Sequence, residues 1–172
     1  MKQSPALRIA YIVLRILIVL NWIYGALLLA ILGWSFIHEQ WTFMALGVPV
    51  PAQTRPLLMG MRAIAALGVL TVPLNLAMLK RLVAMIHTVR DGDPFIATNA
   101  YRMQAIAWVI LALQAISLVI WAIGRAVSTP AHPLHLNAGF SPAGWLAVIL
   151  TFVLARVFAE GTLMRDDLRG TV

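Results

Sequence analysis

The sequence predicts an all-α fold: an integral membrane four-helix bundle forming one domain over residues 1–172, with both termini cytoplasmic. Three observations predict it. Apolar residues make up 62% of the chain and charged residues 11%, against about 45–50% and about 25% in soluble domains. The apolar residues gather into four long runs divided by short polar connections, and the basic residues fall unequally on the two sides of those runs.

The first span, about residues 13–36, lies between Arg15 and His38, a stretch without charge. A helix needs about 20 residues to cross the hydrocarbon core, and a secretory signal has a shorter apolar region of about 7–15. The run therefore reads as a retained helix, with Trp34 and Trp41 in the interfacial belt. Pro49, Pro51 and Pro56 exclude one continuous helix through the connection that follows. The second span, about 60–82, is bracketed by Arg62 and Lys80, whose long side chains can snorkel to the interface. Pro73 frees a backbone carbonyl, for which Asn75 is the expected partner.

Residues 83–103 form the central cytoplasmic loop. In it, Asp91 and Gly92 are expected to end a helical extension of the second span. Asp93 and Pro94 read as a cap and first position, and Thr98 or Asn99 as a cap for the third span. The third span, about 104–124, holds Gln114 near its middle, expected to bond a neighbouring helix. The fourth, about 142–162, starts at Pro142 with Ser141 as its cap. A cytoplasmic tail, 163–172, follows.

Orientation follows from charge. Lys2, Arg8, Lys80, Arg81, Arg90, Arg102, Arg165 and Arg169 share one side, and only Arg55, Arg62 and Arg125 the other. The positive-inside rule puts the first side in the cytoplasm, so the expected location is a bacterial inner membrane.

The same features bound the function. With no cysteine there is no disulfide, thiolate nucleophile or Cys-ligated metal centre. The net charge of +7 lies at the ends of apolar runs, where anionic lipid attracts it, so direct nucleic-acid binding is not expected. No histidine falls mid-span, as a bis-His haem would require. His38 and Glu39 with His132 and His135 are too loosely spaced for a zinc site, and Asp91-Gly92-Asp93 lacks the rest of a calcium loop. No phosphate-binding glycine loop or Ser–His–Asp arrangement is present. The expectation is a non-enzymatic protein without cofactor or metal. Glu160 stands four residues after Arg156 on one helix face. Arg15, Asn75, Arg156 and Glu160 form the expected intramembrane polar cluster, with Arg15 sharing the Glu160 carboxylate and so locking the first helix to the fourth.

Two stretches carry a resemblance. GDPFIATNAYRMQAIAW, with Gly92, Pro94, Phe95, Asn99 and Arg102, resembles the start of the third span in a bacterial four-span inner-membrane family, domain of unknown function 2975. FAEGTLMRDDLRGTV, with Phe158, Glu160, Gly161, Leu163, Asp166, Asp167, Thr171 and Val172, resembles that family's ending. Met103 and Gln104 stand where the family has a leucine and a second basic residue, which weakens the basic face. Members of the family it resembles are often encoded beside small helix-turn-helix regulators, and the resemblance implies, by analogy, a membrane protein that binds and restrains such a regulator. The leading expectation is thus a membrane protein whose loop and tail bind a soluble partner, such as a small helix-turn-helix transcription regulator. The candidate contacts are Arg90, Asp91, Asp93, Phe95, Asn99, Arg102, Arg165, Asp166 and Asp167. The alternatives are a small transporter or lipid-interacting protein, with Asn21, Asn75, Gln114 and Glu160 along a polar path, or an accessory subunit of a membrane complex.

Overall fold

A computed structural model describes residues 5–38, 55–128 and 138–170. Four helices occupy them: α1 (Pro5–Ile37), α2 (Arg55–Arg90), α3 (Ala97–Val127) and α4 (Pro142–Gly170). Each is long and apolar enough to cross a membrane. Glu39, Trp41, Pro49, Pro51, His132 and His135 lie outside the described residues.

The helices outrun the expected spans at most ends. The 36 residues of α2 rise about 54 Å, well beyond a hydrocarbon core of about 30 Å. The central loop contracts accordingly: helix continues to Arg90 and resumes at Ala97, leaving only residues 91–96 between. The tail stays helical to Gly170. Pro142 is the first residue of α4, as its missing N–H favours.

Two compact units emerge. One comprises residues 1–21, 74–112 and 142–172, the other residues 22–73 and 113–141. In the first, Leu79, Ile106, Ala107, Val148 and Ala155 are buried, and Trp108 meets Phe152 edge-on at 5.3 Å between centroids. In the second, Leu57, Leu58 and Val72 are buried. There Arg62 Nε donates to the Ser35 hydroxyl at 3.0 Å, with a further bond from its Nη2 to the Ser35 carbonyl. The Arg62 guanidinium also sits 4.4 Å from the Phe36 ring centre.

Large apolar side chains are exposed along every helix, and only 6% of the most apolar window of α1 is buried. An apolar surface this extensive is compatible with a multi-pass membrane protein.

Two expected side-chain bonds are not made among the described residues. Helix α2 runs through Pro73, whose missing N–H frees the Val69 carbonyl; no side-chain bond from Asn75 reaches it among the described residues, and the nearby Thr71 hydroxyl donates to a different carbonyl, that of Gly68, at 2.7 Å. Gln114 makes no interhelical bond among the described residues. Ser117, one turn away, instead accepts the Gly139 N–H at 3.1 Å.

Candidate functional site

The candidate site is the loop between α2 and α3, which belongs to the first unit together with the end of α4. It is built from three sets of interactions.

A helix stop comes first. Gly92 has φ of +84°, the left-handed conformation that glycine adopts without steric penalty. The Gly92 N–H donates to the Val89 carbonyl at 3.2 Å and the Asp93 N–H to the Thr88 carbonyl at 3.0 Å. This pair of bonds is the Schellman pattern, which satisfies carbonyls that a helix end leaves open. Asp91 and Gly92 thus end α2, as expected.

Asn99 then ties the loop from within. It is 0% exposed. Its Nδ2 donates to the Thr88 hydroxyl at 2.6 Å and the Pro94 carbonyl at 2.9 Å. Its Oδ1 accepts from Arg102 Nη1 at 2.9 Å. Thr88 in turn donates to the Met85 carbonyl at 2.8 Å. Both amide hydrogens and the amide oxygen are used, so a buried polar group carries no desolvation penalty here. The capping expectation is corrected: α3 begins at Ala97, the Asn99 and Ala100 N–H groups donate to the Ile96 carbonyl, and Asn99 bonds backward into the loop. Pro94 precedes the helix and is not its first residue. Its carbonyl instead accepts from the Asn99 side chain.

Arg165, near the end of α4, closes the third side. It pairs with the Asp93 carboxylate through both terminal nitrogens, Nη2 to Oδ2 at 2.5 Å. Nη1 also donates to the Phe95 carbonyl at 2.8 Å. The Phe95 ring lies over Gly161, where a Cβ would stand 2.9 Å from Cδ1, and meets the Phe158 ring at 5.5 Å. Only glycine lets the ring approach this helix so closely.

Asp93, Phe95, Asn99, Arg102 and Arg165 therefore come together, as a clasp within the chain. Arg90 and Asp91 stand exposed beside it. Asp166 and Asp167 belong to the last turns of α4. Thr88, Phe158 and Gly161 complete the clasp, and Thr88 escaped the sequence reading because a lone helical threonine carries no signal. The resemblance already pointed to Phe158 and Gly161, without saying that they face Phe95.

The expected polar cluster is corrected as well. Arg156 Nε donates to Glu160 Oε1 at 2.7 Å, but Arg15 Nε donates to the Tyr11 hydroxyl at 3.0 Å on its own helix. No ion pair joins Arg15 to Glu160 among the described residues. Tyr11, one turn before Arg15, is the nearer partner and also offers its ring, 5.3 Å from the guanidinium. The other ring face of interest belongs to His87, edge-on to Tyr11 at 5.6 Å. Among the described residues no group of three His, Asp or Glu side chains is placed to hold a metal.

No protein-family model, curated protein or solved structure matches the chain.

Proposed function

We propose that the chain is a non-enzymatic inner-membrane protein whose loop-and-tail face, turned to the cytoplasm, binds a soluble partner. The observation that carries this reading is the clasp. Six residues joining two helices need no more than flexible chain, yet these are held by a Schellman stop, a buried asparagine and a two-pronged arginine. A loop fixed in advance loses little conformational entropy when a partner docks, so more of the contact energy appears as affinity. The exposed Arg90 and Asp91, with Asp166 and Asp167 following Arg165 in sequence, supply charges of both signs for recognition. The resemblance to the four-span family favours a small helix-turn-helix regulator as the partner, held at the membrane away from DNA. The predominance of basic residues on the loop side supports the cytoplasmic orientation.

A photo-crosslinking residue at Arg90 or Asp91, introduced in native membranes, tests this. A helix-turn-helix protein should be captured, and Arg165→Ala should reduce the capture severalfold. Wild-type chain that never retains such a partner overturns the proposal.

A further inference from the structure

Beside the clasp, an open groove of about 450 Å³ runs along the first unit between α3 and α4. Its floor is made of alanines, Ala97 and Ala100 from α3 with Ala155 and Ala159 from α4, and Phe152 closes its apolar end. Tyr101, Gln104 and Arg156 contribute polar groups to its lining, along with Thr162, whose hydroxyl already donates to the Phe158 carbonyl. Tyr101 is 72% exposed and Gln104 is exposed as well. The Arg156 side chain is 77% exposed and gives Glu160 only its Nε hydrogen, which leaves four of its five N–H donors open.

In water these groups would be hydrated. On helices embedded in a bilayer, polar groups must find partners other than bulk solvent. The lining asks for oxygen acceptors at one level and methylene groups beside them. A glycerophospholipid provides both in one molecule, its phosphate and ester oxygens adjoining its acyl chain. Glu160 narrows the choice of headgroup. A carboxylate one helical turn from the cation disfavours a head with net negative charge and offers a place for an ammonium. We propose that this groove binds one aminophospholipid: an acyl chain over the alanine floor, its phosphate on Arg156 and Gln104, and its ammonium toward Glu160.

The proposal requires the helices to lie in lipid but is separate from partner binding at the clasp. Native mass spectrometry of the full chain, released from mixed micelles holding equal phosphatidylethanolamine and phosphatidylglycerol with matched chains, tests it. Wild type should retain one phosphatidylethanolamine, at least fivefold in preference to phosphatidylglycerol. Arg156→Gln should lower retention about tenfold, and Ala159→Leu, which fills the floor, should do the same while leaving the charges in place. Gln104→Leu, at an exposed position, gives a smaller loss and guards against misfolding of the other two. Three results overturn the proposal: no retained lipid, a preference for phosphatidylglycerol, or retention that none of the variants alters. A fourth is a disulfide between two copies of an Ala159→Cys chain in bilayers, which would assign the groove to a second copy.

Discussion

Breaking the Arg165 clasp should open the loop locally and leave the helices standing. The pair is bidentate, with side-chain exposures of 23% for Arg165 and 39% for Asp93. A hydrogen bond to a charged group contributes about 1.5–3 kcal/mol net, whereas exposed ion pairs contribute about 0.2–1 kcal/mol. Asp93 is more than a third exposed, so solvent screening keeps the pair in the lower range, and the two-pronged geometry moves it to the top of that range. A coupling of about 1 kcal/mol follows, which is roughly a fivefold change in the opening equilibrium. Arg165 additionally holds the Phe95 carbonyl, a neutral acceptor adding about 0.5–1.5 kcal/mol. Arg165→Ala should therefore open the loop roughly tenfold or more and Asp93→Ala roughly fivefold, with the double variant no worse than Arg165→Ala. Hydrogen exchange at the Gly92 and Asp93 amides reads this directly, since both are bonded within the turn. Equal effects of the two single variants would show that the Phe95 carbonyl bond contributes nothing. Fully additive effects would show that the ion pair itself contributes nothing.

Three more predictions follow from the same structure. Asn99→Leu keeps the volume but leaves the Thr88 hydroxyl, the Pro94 carbonyl and Arg102 short of a partner, at a cost of about 2–3 kcal/mol; thermal unfolding in detergent measures it, and a loss below about 1 kcal/mol would mean that water replaces the amide. Gly161→Ala should displace the Phe95 ring and cost about 1 kcal/mol after its gain in helix propensity, and Phe95→Leu in the same chain should recover most of that loss, as read by the same unfolding assay. Because the chain has no cysteine, single replacements need no altered background: Arg90→Cys should react with an impermeant maleimide only from the cytoplasmic side, and labelling from the other side would reverse the proposed topology.

What was legible in the sequence is what one-dimensional pattern controls. Uncharged runs between basic residues mark the four helices, because the cost of placing charge in hydrocarbon is large and local. Gly92 marks the end of α2, because few other residues tolerate its backbone angle. The boundaries drifted because a membrane span and a helix are different objects: the α2 helix continues through Met85, His87 and Arg90, where hydropathy has already fallen. The clasp was half legible. Its members stood out, but Arg165 lies 72 residues from Asp93, and no local pattern announces a contact at that separation. Reading the polar residues as a surface for others missed that they bind one another first.

The Arg156–Glu160 pair shows how the corrected geometry changes an expected magnitude. If Glu160 bridged the first and fourth helices through Arg15, removing its charge would leave cations uncompensated across a helix interface, at a cost of several kcal/mol. The structure gives it one partner on its own helix, and the two side chains are 77% and 49% exposed. In detergent, where both side chains can reach water at the micelle surface, such an i,i+4 pair contributes about 0.3–0.5 kcal/mol. Glu160→Gln should therefore change detergent stability by no more than about 0.5 kcal/mol, while Arg15→Gln should act independently of it. Stability measured for both single variants and their combination decides the matter. A coupling above about 1 kcal/mol would restore the interhelical cluster and refute the assignment of Arg15 to Tyr11.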